Sequence, residues 1–215
     1  MGDIKAIDTI YDGYKFRSRL EARWAVFFNE MGIDYEYEPD GMILSDGTYY
    51  LPDFYLPGFH VFFEIKARHL LGTKEGDEAI RKISDGMRTN SWAGLIAFGD
   101  PMDDKMFLYC QETDDSGGGS YEHEVHFGHF RYGHPLIYDS AILISEDSRV
   151  RFFYDRIADD NNAINIYTDG AICALSCGEF EHAMILRGTK TINAAEKARQ
   201  TRFEHGETPK GGTLK

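Results

Sequence analysis

Leu51-Pro52-Asp53-Phe54 and Phe63-Glu64-Ile65-Lys66 put two carboxylates and an ammonium inside stretches that otherwise read as buried strands. Charge taken out of water is costly unless it is paired or coordinates a metal. A fold that buries these runs must therefore bring the three groups to one another or to a cation. Tyr49 to Leu56 and Phe59 to Ala67 are aromatic and aliphatic runs, and Pro57-Gly58 between them is a turn signal. Side chains alternate along a strand, so Phe62, Glu64 and Lys66 share one face, and Val61, Phe63 and Ile65 the other. A tight turn sets Leu56 opposite Phe59 and Asp53 opposite Phe62. Asp53 and Glu64 are then diagonal neighbours, with Cβ atoms roughly 7–8 Å apart. Pro-Gly suits a type II turn, whereas two-residue hairpins prefer the primed types, so a wider loop or a bulge shifts this register.

The residue types suit divalent-metal phosphodiester chemistry. Hard Mg²⁺ prefers oxygen ligands and keeps several waters, one of which can serve as nucleophile. A lysine beside the metal orients that water or stabilises charge on the phosphate. Ile65 buries its side chain while its carbonyl is left as a further ligand. The plainer alternative for Asp53, Glu64 and Lys66 is a cross-strand ion network on a solvated sheet face. Phe62 and the surrounding apolar residues argue against so wet a face.

The flanking segments predict an α/β protein. Leu20, Trp24, Phe27, Phe28 and Met31 recur at helical spacing, and Gly32 ends the run. Ile33 to Glu38 alternates as an exposed-face strand does. A helix is expected over Glu75 to Arg88, with Ile80, Ile83 and Met87 inward, and a buried strand over Gly94 to Phe98. This α-β-β-β-α-β order suits a mixed sheet flanked by helices. Lys105 to Cys110 extends the sheet at one edge, and Thr113 to Ser120 reads as a loop or lid. Short β-like runs follow at Val125 to Phe130, Ala141 to Ser145, Val150 to Tyr154, Ala163 to Tyr167 and Ala171 to Leu175. A last helix runs from Asn193 to about His205, before a frayed tail from Thr208. The organisation expected is a core over 1–110, a β-rich extension or subdomain over 111–190, and a basic helix and tail over 191–215.

Pro52-Asp53, followed after ten intervening residues by Glu64-Ile65-Lys66, resembles the PD-(D/E)XK nuclease signature. Phe16-Arg17-Ser18-Arg19-Leu20-Glu21-Ala22-Arg23-Trp24-Ala25 also resembles the first helix of small nucleases of that type from phages and mobile elements. The resemblance spans roughly residues 11–100. It implies a restriction-endonuclease-like core, with a β-rich C-terminal extension in this chain, and an endonuclease acting on DNA. It further implies Mg²⁺ or Mn²⁺ held by Asp53 and Glu64, with the Ile65 carbonyl as a third ligand. Lys66 orients the attacking water, and Glu21 completes the metal site or positions that water. Products carry a 5′-phosphate and a 3′-hydroxyl, and a homodimer is an arrangement that such families use to cut both strands. Ser18-Arg19-Leu20-Glu21 equally fits a capping box, with Glu21 bonded back to the helix start; the resemblance favours catalysis. Arg17, Arg19 and Arg23, with Lys15, and Lys82 and Arg88 on the second helix are candidate nucleic-acid contacts. Solvated helix faces explain them as well.

Composition limits the alternatives. The 215 residues suffice for a sizeable core, and 14% aromatic content marks a folded chain. No apolar run approaches the ~20 residues that span a bilayer, and the acidic N-terminus is unlike a signal peptide. Three cysteines form no disulfide framework and suggest a reducing compartment, hence a cytoplasmic protein, in a bacterial host if of phage or mobile-element origin. A net charge of −13 opposes nucleic-acid binding. Its distribution softens the objection: residues 15–23 carry a net +3 and residues 187–215 a net +4, whereas residues 100–160 carry −9. That acidic middle is a candidate surface for a protein partner. The rival reading is thus a catalytically silent nuclease-like fold acting as a binding or inhibitor protein. An RNA-directed nuclease on the same core is a third. His123, His126, His129, His134, Cys173, Cys177 and His182 offer zinc-type ligands without the spacing of a specific zinc motif. Gly117 to Gly119 match neither a P-loop nor a dinucleotide fingerprint.

Overall fold

Helix α1 (Arg19–Met31) starts where the Ser18 hydroxyl accepts the Glu21 N–H at 3.2 Å, and stops at Gly32, which adopts φ 75°. That left-handed conformation favours glycine. In the chain's computed structural model, residues 8–90, 93–101, 105–112, 119–130, 135–139, 184–185 and 189–203 are described. The strands expected at 141–145, 150–154, 163–167 and 171–175 lie outside them, as do most of the 113–120 loop and the tail. Strands β1 (Thr9–Tyr11) and β2 (Tyr14–Phe16) form a hairpin, and β4 (Met42–Ile43) and β5 (Tyr49–Tyr50) form another.

The main sheet has eight strands among the described residues. They are β3 (Glu36–Tyr37), β6 (Phe54–Leu56), β7 (Val61–Lys66), β8 (Ala93–Phe98), β9 (Lys105–Glu112), β10 (Gly119–Phe130), β11 (Pro135–Asp139) and β12 (Met184–Ile185). Their order is β11-β10-β9-β8-β7-β6-β3, with β12 also on β10. β7 and β8 are parallel, joined by α2 (Lys74–Asn90), and their neighbours are antiparallel. The fold is therefore a mixed α/β sheet flanked by helices. No described helix is long and apolar enough to cross a membrane.

Trp24, Phe27 and Phe28 of α1 are at most 1% exposed. They pack on Phe63 of β7 and Phe127 of β10, with Trp24 and Phe63 ring centroids 4.9 Å apart. Each such burial is worth roughly 1.5–3 kcal/mol. Phe127 thus joins residues 119–130 to the same core as α1. Helix α3 (Thr189–Gln200) begins four residues before Asn193, because Thr191, Ala194, Ala195 and Ala198 make a buried small-residue stripe; this element packs along α1.

Two local expectations are corrected. The run Tyr49 to Leu56 is not one strand: Tyr49–Tyr50 pairs with Met42–Ile43, and Phe54–Leu56 joins the main sheet. Pro52, with no N–H to donate, sits in the break. The β6–β7 connection is also wider than a two-residue turn. Pro57–Phe59 forms a 3₁₀ turn closed by His60 at φ 52°, so Leu56 pairs with Val61 and not Phe59. Pro-Gly cannot supply the primed geometry of a tight hairpin. The register moves by two residues, an even number, which preserves every face.

Candidate active site

The observed pairing of Phe54 with Phe63, continued by one residue, brings Asp53 level with Glu64 across β6 and β7. The two are direct and not diagonal neighbours. Both are buried, at 4% and 5% exposure. Continued again, the register sets Ile65 opposite Pro52. Pro52 has no N–H to give the Ile65 carbonyl, and the Ile65 N–H turns instead to Asp53 Oδ2 at 2.8 Å. The Pro-Asp pair thus ends the ladder and plants a carboxylate where it stops.

Each acidic oxygen has a partner. Asp53 Oδ1 accepts from Arg17 Nη2 at 3.0 Å, and Arg17 Nε also pairs with Glu38 at 2.8 Å. Glu64 Oε1 accepts from Lys66 Nζ, and Oε2 accepts from the Tyr50 hydroxyl at 2.8 Å. The β4–β5 hairpin delivers Tyr50. It is docked on α2 by buried Asp85, which accepts from the Ser45 N–H and hydroxyl at 2.8 Å. Burial and the Glu64 hydroxyl-bonded carboxylate hold the Tyr50 pKa well above its usual value, so it stays a neutral donor. Burial and the nearby Glu64 charge likewise push the Asp53 carboxyl well above the carboxylate range. Burial alone lowers the Lys66 pKa, but Glu64 and Asp53 outweigh it and raise the ammonium above its ordinary value. Lys66 is a charged donor at neutral pH, not a free base.

Glu21 is turned to the start of its own helix. Its Oε1 accepts from the Ser18 hydroxyl at 2.7 Å, and its Oε2 accepts from the Arg17 N–H at 3.0 Å and the Tyr37 hydroxyl at 2.7 Å. The carboxylate bonds the amide one residue before the N-cap, a variant of the expected box. Arg17 links this helix start to Asp53, through its amide and guanidinium respectively. No group of three or more His, Cys, Asp or Glu side chains among the described residues converges to hold a metal ion. Of the zinc-type ligands, His126 lies 3.8 Å from Glu124, while His134, Cys173, Cys177 and His182 lie outside the described residues.

The candidate nucleic-acid contacts separate. Arg17 is within the site. Arg23 Nη1 donates to both oxygens of Asp100, at 2.9 and 3.1 Å, and Arg19 shares a cleft with it. Lys82 sits 3.8 Å from Glu78 on the far helix. The Arg88 side chain lies outside the described residues. Sequence reasoning missed Tyr50 and Tyr37, because a tyrosine in an aromatic run carries no sign that its hydroxyl meets a carboxylate. No protein-family model matches the chain, and no curated protein matches it.

Proposed function

We propose that the chain is a divalent-metal-dependent endonuclease of the PD-(D/E)XK type, with a restriction-endonuclease-like core, acting on DNA. The observation that carries this reading is the buried Asp53–Glu64 pair, level across two strands, with Lys66 on the same face. Burial first, and then the Glu64 charge, raise the Asp53 pKa although Lys66 opposes them, so the charged pair is costly where it stands and a further cation would stabilise it. The donor set fits Mg²⁺ or Mn²⁺: carboxylate oxygens and the Ile65 carbonyl are hard ligands, and each carboxylate oxygen retains a second lone pair. A bound divalent cation supplies Lewis acidity toward a phosphoryl oxygen and toward water.

This chain's own residues do the rest. Asp53 and Glu64 would hold the cation, Tyr50 fixes the Glu64 carboxylate, and the Lys66 ammonium would orient water and meet developing phosphate charge. Glu21 would reach the same water only by releasing a helix-start bond, and Arg17, paired with Asp53 and Glu38, would meet a phosphate only by giving up its bond to Asp53. A reducing cytoplasm and a homodimer accord with the reading. The net charge of −13 favours one rival, a silent nuclease-like fold that binds a protein partner. Cleavage of single-stranded, duplex, flapped and four-way-junction DNA and of RNA, in Mg²⁺ and in Mn²⁺, separates them. Asp53→Ala and Lys66→Ala, each folded by circular dichroism, are expected to lose activity by about 10²-fold or more. A folded wild type that cuts nothing and binds no Mn²⁺ transfers the assignment to the binding protein.

A further inference from the structure

Four arginines from two helices line one cleft of about 550 Å³: Arg19 and Arg23 of α1, Arg199 in the last turn of α3, and Arg202 just beyond it. The C-terminal dipole of α3 favours Arg199 where it stands. It does not explain the others. Arg19 is the first residue of α1, where the dipole favours anions, and Arg23 is one turn on, where like charges repel. Asp100 answers Arg23 through Nη1, but the buried Arg23 Nε has no acceptor. Arg199 and Arg202 form no ion pair among the described residues.

The cleft is built, not frayed. Phe203, 6% exposed, packs edge-on to Tyr11 with centroids 6.2 Å apart, and Thr201 donates through N–H and hydroxyl to the Lys197 carbonyl. It also adjoins the candidate site. The Lys66 carbonyl accepts the Gly99 N–H at 3.0 Å, Gly99 accepts from Trp24 Nε1 at 3.0 Å, and the next residue, Asp100, holds Arg23. A hydrogen bond from Gly99 to Lys66, the peptide link to Asp100 and the Asp100–Arg23 ion pair therefore join the end of β7 to the cleft wall.

We infer that this cleft binds the phosphate backbone of a nucleic-acid strand that passes the Asp53–Glu64–Lys66 site. Guanidinium forks match phosphate oxygens, and Arg199 and Arg202, which form no ion pair among the described residues, give the cleft two such forks on an acidic chain. The inference rests on the nuclease reading for the strand's course, while the phosphate chemistry stands apart from it.

The test is fluorescence anisotropy of labelled duplex and single-stranded DNA in Ca²⁺, titrated across KCl concentrations. R199Q/R202Q is compared with wild type, with melting temperature as the folding control and the single variants read in its place if the double melts early. At fixed salt the double variant is expected to bind duplex about tenfold or more weakly, and the slope of log K against log[salt] to shrink by roughly 1.8. R199K/R202K should retain most of the slope. Unchanged affinity and slope, or a wild type that binds no DNA, overturns the inference. Pyrophosphate calorimetry supplies the other arm: binding lost in the double variant with an unchanged DNA slope assigns the cleft to free oligophosphates and overturns the strand assignment. DNA affinity lost in the variant while wild type cuts nothing leaves the inference standing and removes only the nuclease reading.

Discussion

Tyr50 spends its hydroxyl on one buried oxygen of Glu64, and Lys66 takes the other. Removing that hydroxyl leaves a charged acceptor short of a donor, at a cost of about 1.5–3 kcal/mol. Tyr50→Phe is therefore expected to lower the melting temperature by about 2–4 °C for each kcal/mol lost. If Glu64 is a metal ligand, the same variant should bind Mn²⁺ about 10–100-fold more weakly by calorimetry. A drop in melting temperature with unchanged Mn²⁺ affinity would assign Tyr50 to the fold alone. Asp53 makes the complementary case through pH. Its folded pKa lies above the ordinary 3.8, through burial and Glu64, so the folded chain keeps a proton that the unfolded chain has shed. Stability from this group is thus greatest below the unfolded value and falls as pH rises through the folded one. In metal-free protein, Asp53→Asn removes that penalty. Its melting temperature relative to wild type should become more favourable as pH rises above the ordinary carboxylate value and through the raised one, and added Mn²⁺ should raise only the wild type. A difference independent of pH would sink the account.

Two glycines at element ends separate stability from the site. Gly32 ends α1 at φ 75° with open space around it, so Gly32→Ala meets only backbone strain, about 1 kcal/mol. A Cβ at Gly76, in the first turn of α2, lies 2.2 Å from the Leu70 carbonyl, in the 3₁₀ turn (Arg68–Leu70) that follows Lys66. Overpacking there costs about 1–3 kcal/mol and presses on the turn that follows the Lys66 end of β7. Both variants should melt earlier; Gly76→Ala should also lose kcat/KM on DNA in excess of the Gly32→Ala loss, and equal losses would separate Gly76 from the site. How much of this was legible follows from how locally each feature is specified. Helix α1 was readable because its aromatic spacing, Ser18 and Gly32 all act within a few residues. The faces of β7 were readable because alternation is local, and they survived a register error because the error was even. The wider turn at Pro57–Phe59, the break at Pro52 and the meeting of Tyr50 with Glu64 depend on how two hairpins dock. No pattern in one segment reports that. The early start of α3 was hidden in the same way, since its alanine stripe gains meaning only against α1.

On the scale of the molecule, the acidic balance and the proposed substrate pull in opposite directions. A chain of net charge −13 repels a phosphate backbone at long range, and salt screens that repulsion beyond about 8 Å under physiological conditions. Close to the sheet end the local fields decide. There the Asp53–Glu64 pair adds negative charge beside the track proposed for a strand, while Arg17 is held by Asp53 and Glu38. On the proposed reading a divalent cation would change both terms together, offsetting the carboxylates and releasing the guanidinium to meet phosphate. DNA affinity should therefore depend on the cation before any bond is cut. By anisotropy at fixed ionic strength, Ca²⁺ is expected to tighten duplex binding at least about tenfold over EDTA, which corresponds to roughly 1.4 kcal/mol. At a pH above the raised Asp53 pKa, Asp53→Asn should bind better than wild type in EDTA and gain less from Ca²⁺, because one of the two repelling charges is already gone. Equal affinity with and without the cation would mean that the DNA path avoids the carboxylates, and the proposed active site would then be the wrong end of the sheet.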